Sequence, residues 1–275
     1  MATASERNGA REGAARRPNP FDGEAARENS SYAAFSEGRL VRSASGERAG
    51  PVQEFVHDSF RSLVLNPRFS CVGAKSAVRR GGYRFGLYES MGSPGTTAGL
   101  ARDLFEFVED QPSLKSEFTT FVASFRGPIT PDEGQFEKLL WAQLQRLHEE
   151  DRQHHPWDPA VNADPEDSNF AFSFAGRAFF VVGLHPGASR FARRFAWPTL
   201  VFNTHEQFQK LREEGRFGRL RDVIRARELI LQGELNPNLS DFGEFPEARQ
   251  YSGRPVEEDW RCPFHPGGSA EGEEG

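Results

Sequence analysis

Residues 170–187 read FAFSFAGRAFFVVGLHPG, and this stretch decides the fold class. Its first part, FAFSF at 170–174, alternates aromatic and small residues with the period of two that is typical of a β-strand. The residues AGR at 175–177 can form a turn, and the apolar run AFFVV at 178–182 follows as a second strand. The pattern predicts a β-hairpin that lies near the centre of a sheet.

Helical patterns flank this hairpin on both sides. The clearest runs from Asp132 to Glu150, where apolar residues recur with the 3.6-residue period of an amphipathic helix. Further helices are predicted at 52–65, 71–80, 100–108, 114–121, 206–214 and 220–231, and further strands at 83–88 and 199–202. We therefore expect an α+β fold, a single domain with a central, mostly antiparallel sheet flanked by helices.

The two ends of the chain differ from this body in composition. Residues 1–50 are rich in Gly, Ala, Ser, Arg and Glu without a sustained apolar period, which predicts a disordered N-terminal arm. Such a segment buries too little apolar surface to offset the entropy lost on ordering. We expect the folded domain at 51–264 and a flexible tail at 265–275.

The composition of the chain limits which partners it is expected to bind and indicates a cellular compartment. The 275 residues carry a net charge of −6, which argues against a surface built to neutralise nucleic-acid phosphates. The two cysteines, Cys71 and Cys262, form no CxxC pair and no disulfide framework, so a reducing cytoplasm fits. No apolar run of about 18 residues is present, and we expect no membrane partner.

Several familiar sites are missing from the sequence. No GxGxxG follows a strand, and no GxxxxGK[ST], GxSxG or HExxH occurs. Residues 189–227 are a local exception to the negative net charge of the chain, because they contain nine Arg and one Lys against four acidic residues. Three interpretations stay open for this stretch: a nucleic-acid groove, an anion site for carboxylates, or a solvated helix face with internal ion pairs.

Two side chains are candidates for a metal ligand. His185 directly follows an apolar strand and precedes Pro-Gly, so we expect it at a strand end that faces a cavity; a core or capping histidine is the alternative. Cys71 lies near a predicted helix start, where the helix dipole and Lys75 would lower the pKa of the thiol and favour the thiolate. A small buried thiol is the alternative for Cys71.

Four segments resemble the bacterial YqcI/YcgG family. They are FSCVGAKSAV (69–78), FFVVGLHPGASRFARRFAWPTLVFNTHEQFQKLR (179–212), QGELNPNLSDFGEFPEARQYSG (232–253) and WRCPF (260–264). That family includes a haem protein of D-cycloserine biosynthesis associated with N-hydroxyarginine formation and a guanitoxin-pathway enzyme that hydroxylates a cyclic guanidine. The resemblance implies an enzyme that uses haem b and dioxygen to N-hydroxylate the guanidine group of arginine or a related amino acid.

The resemblance also suggests how the cofactor is held. His185 is the first choice for the haem axial ligand and Cys71 the alternative, since a thiolate would favour cleavage of the O–O bond. The haem propionates need cationic partners, and Arg190, Arg193 and Arg194 follow His185 closely in sequence. We expect these three arginines to bind the cofactor.

The substrate site is expected in the segment 236–253. A guanidinium is a planar cation that pairs best with a carboxylate, and Glu244, followed by Glu247, is the candidate for this role. Arg249 would bind the substrate carboxylate, and Tyr251 would supply a proton or a hydrogen bond. Glu244 and Tyr251 are thus the predicted catalytic residues.

The chain carries no flavin or nicotinamide motif, so electrons are expected from an external reductase or ferredoxin. A different class of function is also open. A haem-binding sensor or carrier would share the iron ligand and lack a substrate site.

Overall fold

The computed structural model describes residues 16–130, 132–235 and 245–267. The strands are β1 (Ala33–Ser36), β2 (Arg39–Arg42), β3 (Tyr83–Ser90), β4 (Thr120–Gly127), β5 (Phe172–Phe174), β6 (Arg177–Leu184) and β7 (Thr199–Thr204). The helices are α1 (Glu24–Asn29), α2 (Pro51–Leu65), α3 (Val72–Arg80), α4 (Pro94–Asp110), α5 (Glu133–Asp151), α6 (His205–Glu213), α7 (Phe217–Gln232) and α8 (Ala248–Tyr251). Short 3-10 helices occupy Gln111–Ser113 and Phe191–Arg193.

The strands form one seven-stranded sheet in the order β2-β1-β3-β4-β7-β6-β5. Every neighbouring pair is antiparallel except β3 with β4, which run parallel. The predicted α+β class and mostly antiparallel sheet are therefore confirmed. The β5–β6 hairpin also forms, with Phe172 opposite Phe179, but it lies at one end of the sheet and not at its centre.

The centre of the sheet holds a strand that the local sequence pattern does not predict. Residues 114–121 were expected to be helical, yet β4 begins at Thr120 and pairs with β3 on one side and β7 on the other. Its run of β-branched and aromatic residues is buried on both faces, as is usual for an inner strand. Pairing partners distant in sequence decide this assignment, so the local pattern alone was misleading.

Side chains alternate between two cores across this sheet. On one face, Phe121 and Phe202 pack with α4 and α5 in an aromatic-rich cluster. On the other face, Val122 and Val201 pack with α2 and α3 in a second cluster. The sheet is thus the middle layer, and the helices cover it from both sides.

The prediction of a disordered arm over 1–50 is wrong for the residues from 16 onward. α1 packs against α4, and β1 pairs with β3 as well as with β2. The buried Asp103 carboxylate fixes the segment, because it accepts hydrogen bonds from Ser30 Oγ at 2.6 Å, the Ser31 amide at 2.7 Å and Tyr88 Oη at 2.8 Å. Tertiary hydrogen bonds of this kind leave no trace in composition.

The same correction applies at the other end. His265 and Pro266, which were assigned to a flexible tail, offer their carbonyl oxygens to Gln145 Nε2 at 3.1 Å and His148 Nε2 at 2.9 Å. These contacts attach the end of the described chain to α5.

Replacing Asp103 tests how the N-terminal segment is held. We expect Asp103→Asn to lower the free energy of unfolding by about 2 to 4 kcal/mol, because it leaves buried donors without an acceptor. Urea denaturation measures this, with Glu150→Gln on the exposed face of α5 as the control. A loss no larger than that of the control would show that the network does not fix the segment.

Candidate functional site

One face of the sheet carries a cavity of about 330 Å³, at the lower end of the usual range for small-ligand pockets. It lies over β6 and β7 and is enclosed by α2, α3, α6 and α7. Apolar and aromatic side chains dominate the walls, among them Phe60, Phe118, Phe180, Val182, Phe208 and Phe217. The composition of these walls suits an organic ligand with a large apolar surface.

Strand alternation determines which residues reach the cavity. Along β6, Phe180, Val182 and Leu184 line it, whereas Phe179 and Val181 belong to the opposite, aromatic-rich core. A residue at an odd-numbered position of β6 therefore lies on the wrong side of the sheet to contribute to the cavity.

Cys71 is one of the predicted ligands that lines this cavity. It is the N-cap residue of α3, and its Sγ accepts a hydrogen bond from the Ala74 amide at 3.4 Å. Burial raises the pKa of the Cys71 thiol, outweighing the opposing effects of the backbone amides and of Arg193. The expectation of a lowered pKa is thus wrong, because desolvation exceeds the helix-dipole effect.

His185 does not reach the cavity. The strand-end position is as expected, since β6 ends at Leu184, but the imidazole is fully buried on the opposite face of the sheet. It stacks on Phe136 with 4.2 Å between ring centroids. Gly183 makes room for this stack, because a Cβ there would come within 2.5 Å of the Phe136 ring.

The His185 imidazole is also electrically neutral at ordinary pH. Burial lowers its pKa to about 4, and neither ring nitrogen has a hydrogen-bond partner within the described residues. Its place in the fold matches the core histidine that the sequence left as an alternative.

The three arginines predicted to bind a cofactor divide between two places. Arg190 lines the cavity, and its guanidinium donates to the carbonyl oxygens of Glu234 at 3.0 Å and Leu235 at 2.6 Å. Arg194 lies on the surface, where its Nε donates to the Ala188 carbonyl at 3.0 Å. The structure brings Arg190, but not Arg194, to the cavity.

Arg193 lines the cavity as well and connects three segments of the chain. It donates to the carbonyl oxygens of Gly183 at 3.2 Å, Gln250 at 2.9 Å and Tyr251 at 3.1 Å. Burial lowers the pKa of Arg193 to about 10, so it stays cationic at neutral pH. Its positive charge is available to the cavity, although much of its donor capacity is used within the fold.

Glu247 is the predicted substrate-binding residue that the structure places at the cavity. The residue is buried, and its Oε1 lies 3.3 Å from His205 Nε2. Its Oε2 is buried with no hydrogen-bond partner in the described part of the chain. Glu244, the first choice for this role, lies outside the described residues.

The roles predicted for Tyr251 and Arg249 need correction. Tyr251 is fully buried in the aromatic-rich core, where its hydroxyl donates to the Phe179 carbonyl at 3.0 Å and accepts from the Phe172 amide at 3.1 Å. Arg249 donates to the Glu257 carbonyl at 2.6 Å, away from the cavity walls. Each side chain holds chain segments together. Tyr251 joins β5 to β6, and Arg249 joins α8 to the C-terminal segment.

Some cavity residues were missed from sequence. Asn203 faces the cavity from β7, and Glu228 reaches it from α7. Burial raises the pKa of Glu228, while Arg190 and Arg193 act in the opposite direction. Alternation along β7 could have placed Asn203 on this face, but no local signal relates Glu228 to arginines more than thirty residues earlier in the chain.

The arginine-rich stretch 189–227 does not act as a single surface. Arg190 and Arg193 are internal, and Arg216 forms ion pairs with Glu117 and Glu214 on the surface. These arginines mostly serve contacts within the fold.

Within residues 16–130, 132–235 and 245–267, no helix is sufficiently long and apolar to cross a membrane. No group of three or more His, Cys, Asp or Glu side chains among the same residues is arranged to hold a metal ion.

The fold and the site together define an α+β protein with an apolar small-molecule cavity on one face of a mixed sheet. A thiol, several arginines, of which Arg190 is buried, and a buried carboxylate are placed at this cavity. The chain belongs to the YqcI/YcgG family, whose sequence profile matches residues 60–265.

A relative from Bacillus subtilis (strain 168) is similar over part of this chain. It is the uncharacterized protein YcgG, 33% identical over 135 residues, which cover 47% of this chain and 53% of that protein. The match thus spans about half the length of the relative. No solved structure matches the chain.

The neutral His185 predicts how stability depends on pH. Between pH 6.5 and about 4 the unfolded chain binds a proton on this residue that the folded state does not, so its contribution is complete above pH 6.5 and lost toward pH 4. His57, whose pKa burial also lowers to about 4, adds to the same trend. We expect His185→Phe to make the urea-unfolding free energy less dependent on pH.

The matched control is His154→Phe, at an exposed position. It should keep the pH dependence of the unaltered protein. Equal slopes for both variants between pH 7 and pH 5 would contradict a neutral, buried His185.

Proposed function

We propose that this protein is a haem-dependent oxygenase that hydroxylates a guanidine nitrogen of arginine or a related amino acid, in the cavity over β6 and β7. One observation carries the proposal: a largely apolar cavity contains both a thiol and a carboxylate with an unbonded, buried oxygen. The thiol suits an iron ligand, and the carboxylate suits a guanidinium.

Cys71 is the residue that fits haem iron in this cavity. A haem would need apolar walls and a donor to its iron, and Cys71 at the N-terminus of α3 would supply that donor. Its raised pKa does not prevent this role, because coordination to a metal deprotonates a thiol. His185 was the first choice from sequence, and its position on the opposite face of the sheet now favours Cys71.

The proposed cofactor also requires space. A haem and an amino acid together would need more room than the cavity of about 330 Å³ offers, so one wall would have to move outward. α7 is the wall most able to do so, because none of its residues is buried and Val223, Leu229 and Ile230 are exposed. The cationic Arg190 and Arg193 at the cavity then offer favourable electrostatics for propionate groups.

Glu247 would orient the substrate. Its Oε1 is held near His205 Nε2, which leaves Oε2 to accept from a guanidinium inside the cavity. Aromatic walls such as Phe180 and Phe208 exclude water and offer ring faces to a planar cation. This arrangement would hold the guanidine nitrogen in one orientation.

The proposed reaction replaces an N–H bond of the guanidine by N–OH. Haem iron supplies the reductive activation of dioxygen. One oxygen atom enters the product and the other leaves as water, so each turnover consumes two electrons and two protons. We assign the electrons to an external ferredoxin or reductase of the cytoplasm.

The haem proposal predicts a specific spectrum. Protein purified from cells supplied with a haem precursor should show a Soret band, and its reduced carbon monoxide complex should be strongly red-shifted by a thiolate ligand. Cys71→Ser should abolish that red shift. Cys262→Ser is the matched control, because that thiol is buried in the core at the far side of the sheet.

Two results would overturn this assignment. A reduced complex at the position typical of imidazole ligation would return the ligand role to His185. The absence of a Soret band despite full haem supply would remove the oxygenase proposal.

Replacing Glu247 tests whether the protein is an enzyme or a haem-binding sensor or carrier. Arginine should change the haem spectrum with saturation, and Glu247→Gln should weaken this response about 10- to 100-fold because a charged hydrogen bond is lost. Glu213→Gln, at an exposed position of α6, should leave it unchanged. No response to arginine in the haem-loaded protein would favour a sensor or carrier.

A further inference from the structure

A second cleft, of about 530 Å³, lies on the outer side of α3, facing α7. Its polar lining comes from Lys75, Ser76, Arg79 and Arg80 of α3 and from Arg227 of α7. The apolar part of its wall is formed by Leu65, Pro67 and Val72. The cleft is separate from the cavity described above, which the opposite side of α3 lines.

The cleft collects positive charge in an acidic protein. Four of its lining residues are cationic and none is acidic, although the chain as a whole carries a net charge of −6. No ion pair within 4 Å joins Arg79, Arg80 or Arg227 to a carboxylate in the described part of the chain, although the charge of Arg80 acts on the Glu117 carboxylate at longer range. Like charges held together repel one another, and a bound anion would relieve this repulsion.

The burial of Lys75 distinguishes this cleft from a basic protein surface that is fully solvated. The residue is only 6% exposed, and its Nζ donates to the Pro67 carbonyl at 3.0 Å. Burial lowers the pKa of Lys75, and the positive charges of Arg227 and Arg79 lower it further. The ammonium group is thus fixed at the wall of the cleft, close enough to Arg227 and Arg79 for their charges to lower its pKa, and a bound anion would offset that repulsion.

We propose that this cleft binds a small anion of the phosphate class that carries two or more negative charges. The volume lies within the usual range for small-molecule pockets, and a flat protein surface would not reach the buried Lys75. Guanidinium groups match phosphoryl oxygens by paired hydrogen bonds, and the ammonium of Lys75 adds a point charge. The hydroxyl of Ser76 is a further donor at the same wall.

Inorganic pyrophosphate is the probe that tests the cleft. Isothermal titration of the full chain at 150 mM salt should give one saturable site, and Arg79→Gln combined with Arg227→Gln should weaken it at least tenfold. Arg146→Gln combined with Arg152→Gln is the matched control, because it removes the same two charges from exposed positions outside the cleft. The control should bind as the unaltered chain does.

Stability gives a second readout. Pyrophosphate should raise the melting temperature of the unaltered chain and not that of the cleft variant. Without pyrophosphate the cleft variant should be as stable as the unaltered chain or more so, since repulsion is relieved. Should the double variant fail to fold, Arg79→Gln alone, at an exposed position, still tests the binding.

Three outcomes would overturn the proposal. They are no saturable binding, an equal loss of binding in the cleft and control variants, and binding of poly-glutamate without binding of pyrophosphate. The last would assign the cleft to an acidic protein partner. None of them bears on the haem proposal, because Cys71 and Glu247 are absent from this cleft.

Discussion

Apolar side chains on both faces of the inner strands require the sheet to be covered from both sides. On one face α4 and α5 close over a dense set of phenylalanines. On the other face α2 and α3 cover only part of the surface, and α6 and α7 complete a looser layer. The cavity exists because the helices pack densely on one face of the sheet and more loosely on the other.

Arginine side chains hold the looser layer together. Arg190 binds the carbonyl oxygens at the end of α7, and Arg193 binds β6 to the segment around α8. A guanidinium can serve several carbonyl groups at once because its donors form a rigid fork. The same two residues therefore support the cavity wall and bring two guanidinium groups to the cavity.

The fold could be predicted where its signal is local. The helix at 132–150 and the hairpin around Gly176 follow from hydrophobic periodicity and turn composition, and both form close to the expected bounds. β4 was missed because an inner strand is stabilised by partners distant in sequence. The order of residues 16–50 was missed because a buried carboxylate, Asp103, fixes a segment of low apolar content.

The site was predicted in part. Placing Cys71 at a helix start and Glu247 near a pocket depended on short-range features, and both residues do line the cavity. His185 was expected to face a cavity, yet its position along β6 puts it on the opposite face from Leu184. Tyr251 carries a reactive group in principle, and its hydroxyl is instead used to join β5 and β6.

The class of fold, the main helices, the β5–β6 hairpin and the family follow from the sequence, because these depend on patterns that one stretch of chain carries alone. The place of the hairpin in the sheet, the face that each candidate occupies and the burial of particular arginines depend on the tertiary structure. Side chains on a strand change face at every residue, so a shift of one position moves a group from cavity to core. Burial, hydrogen-bond partners and pKa depend on that face, and the face is set by packing between segments far apart in the chain.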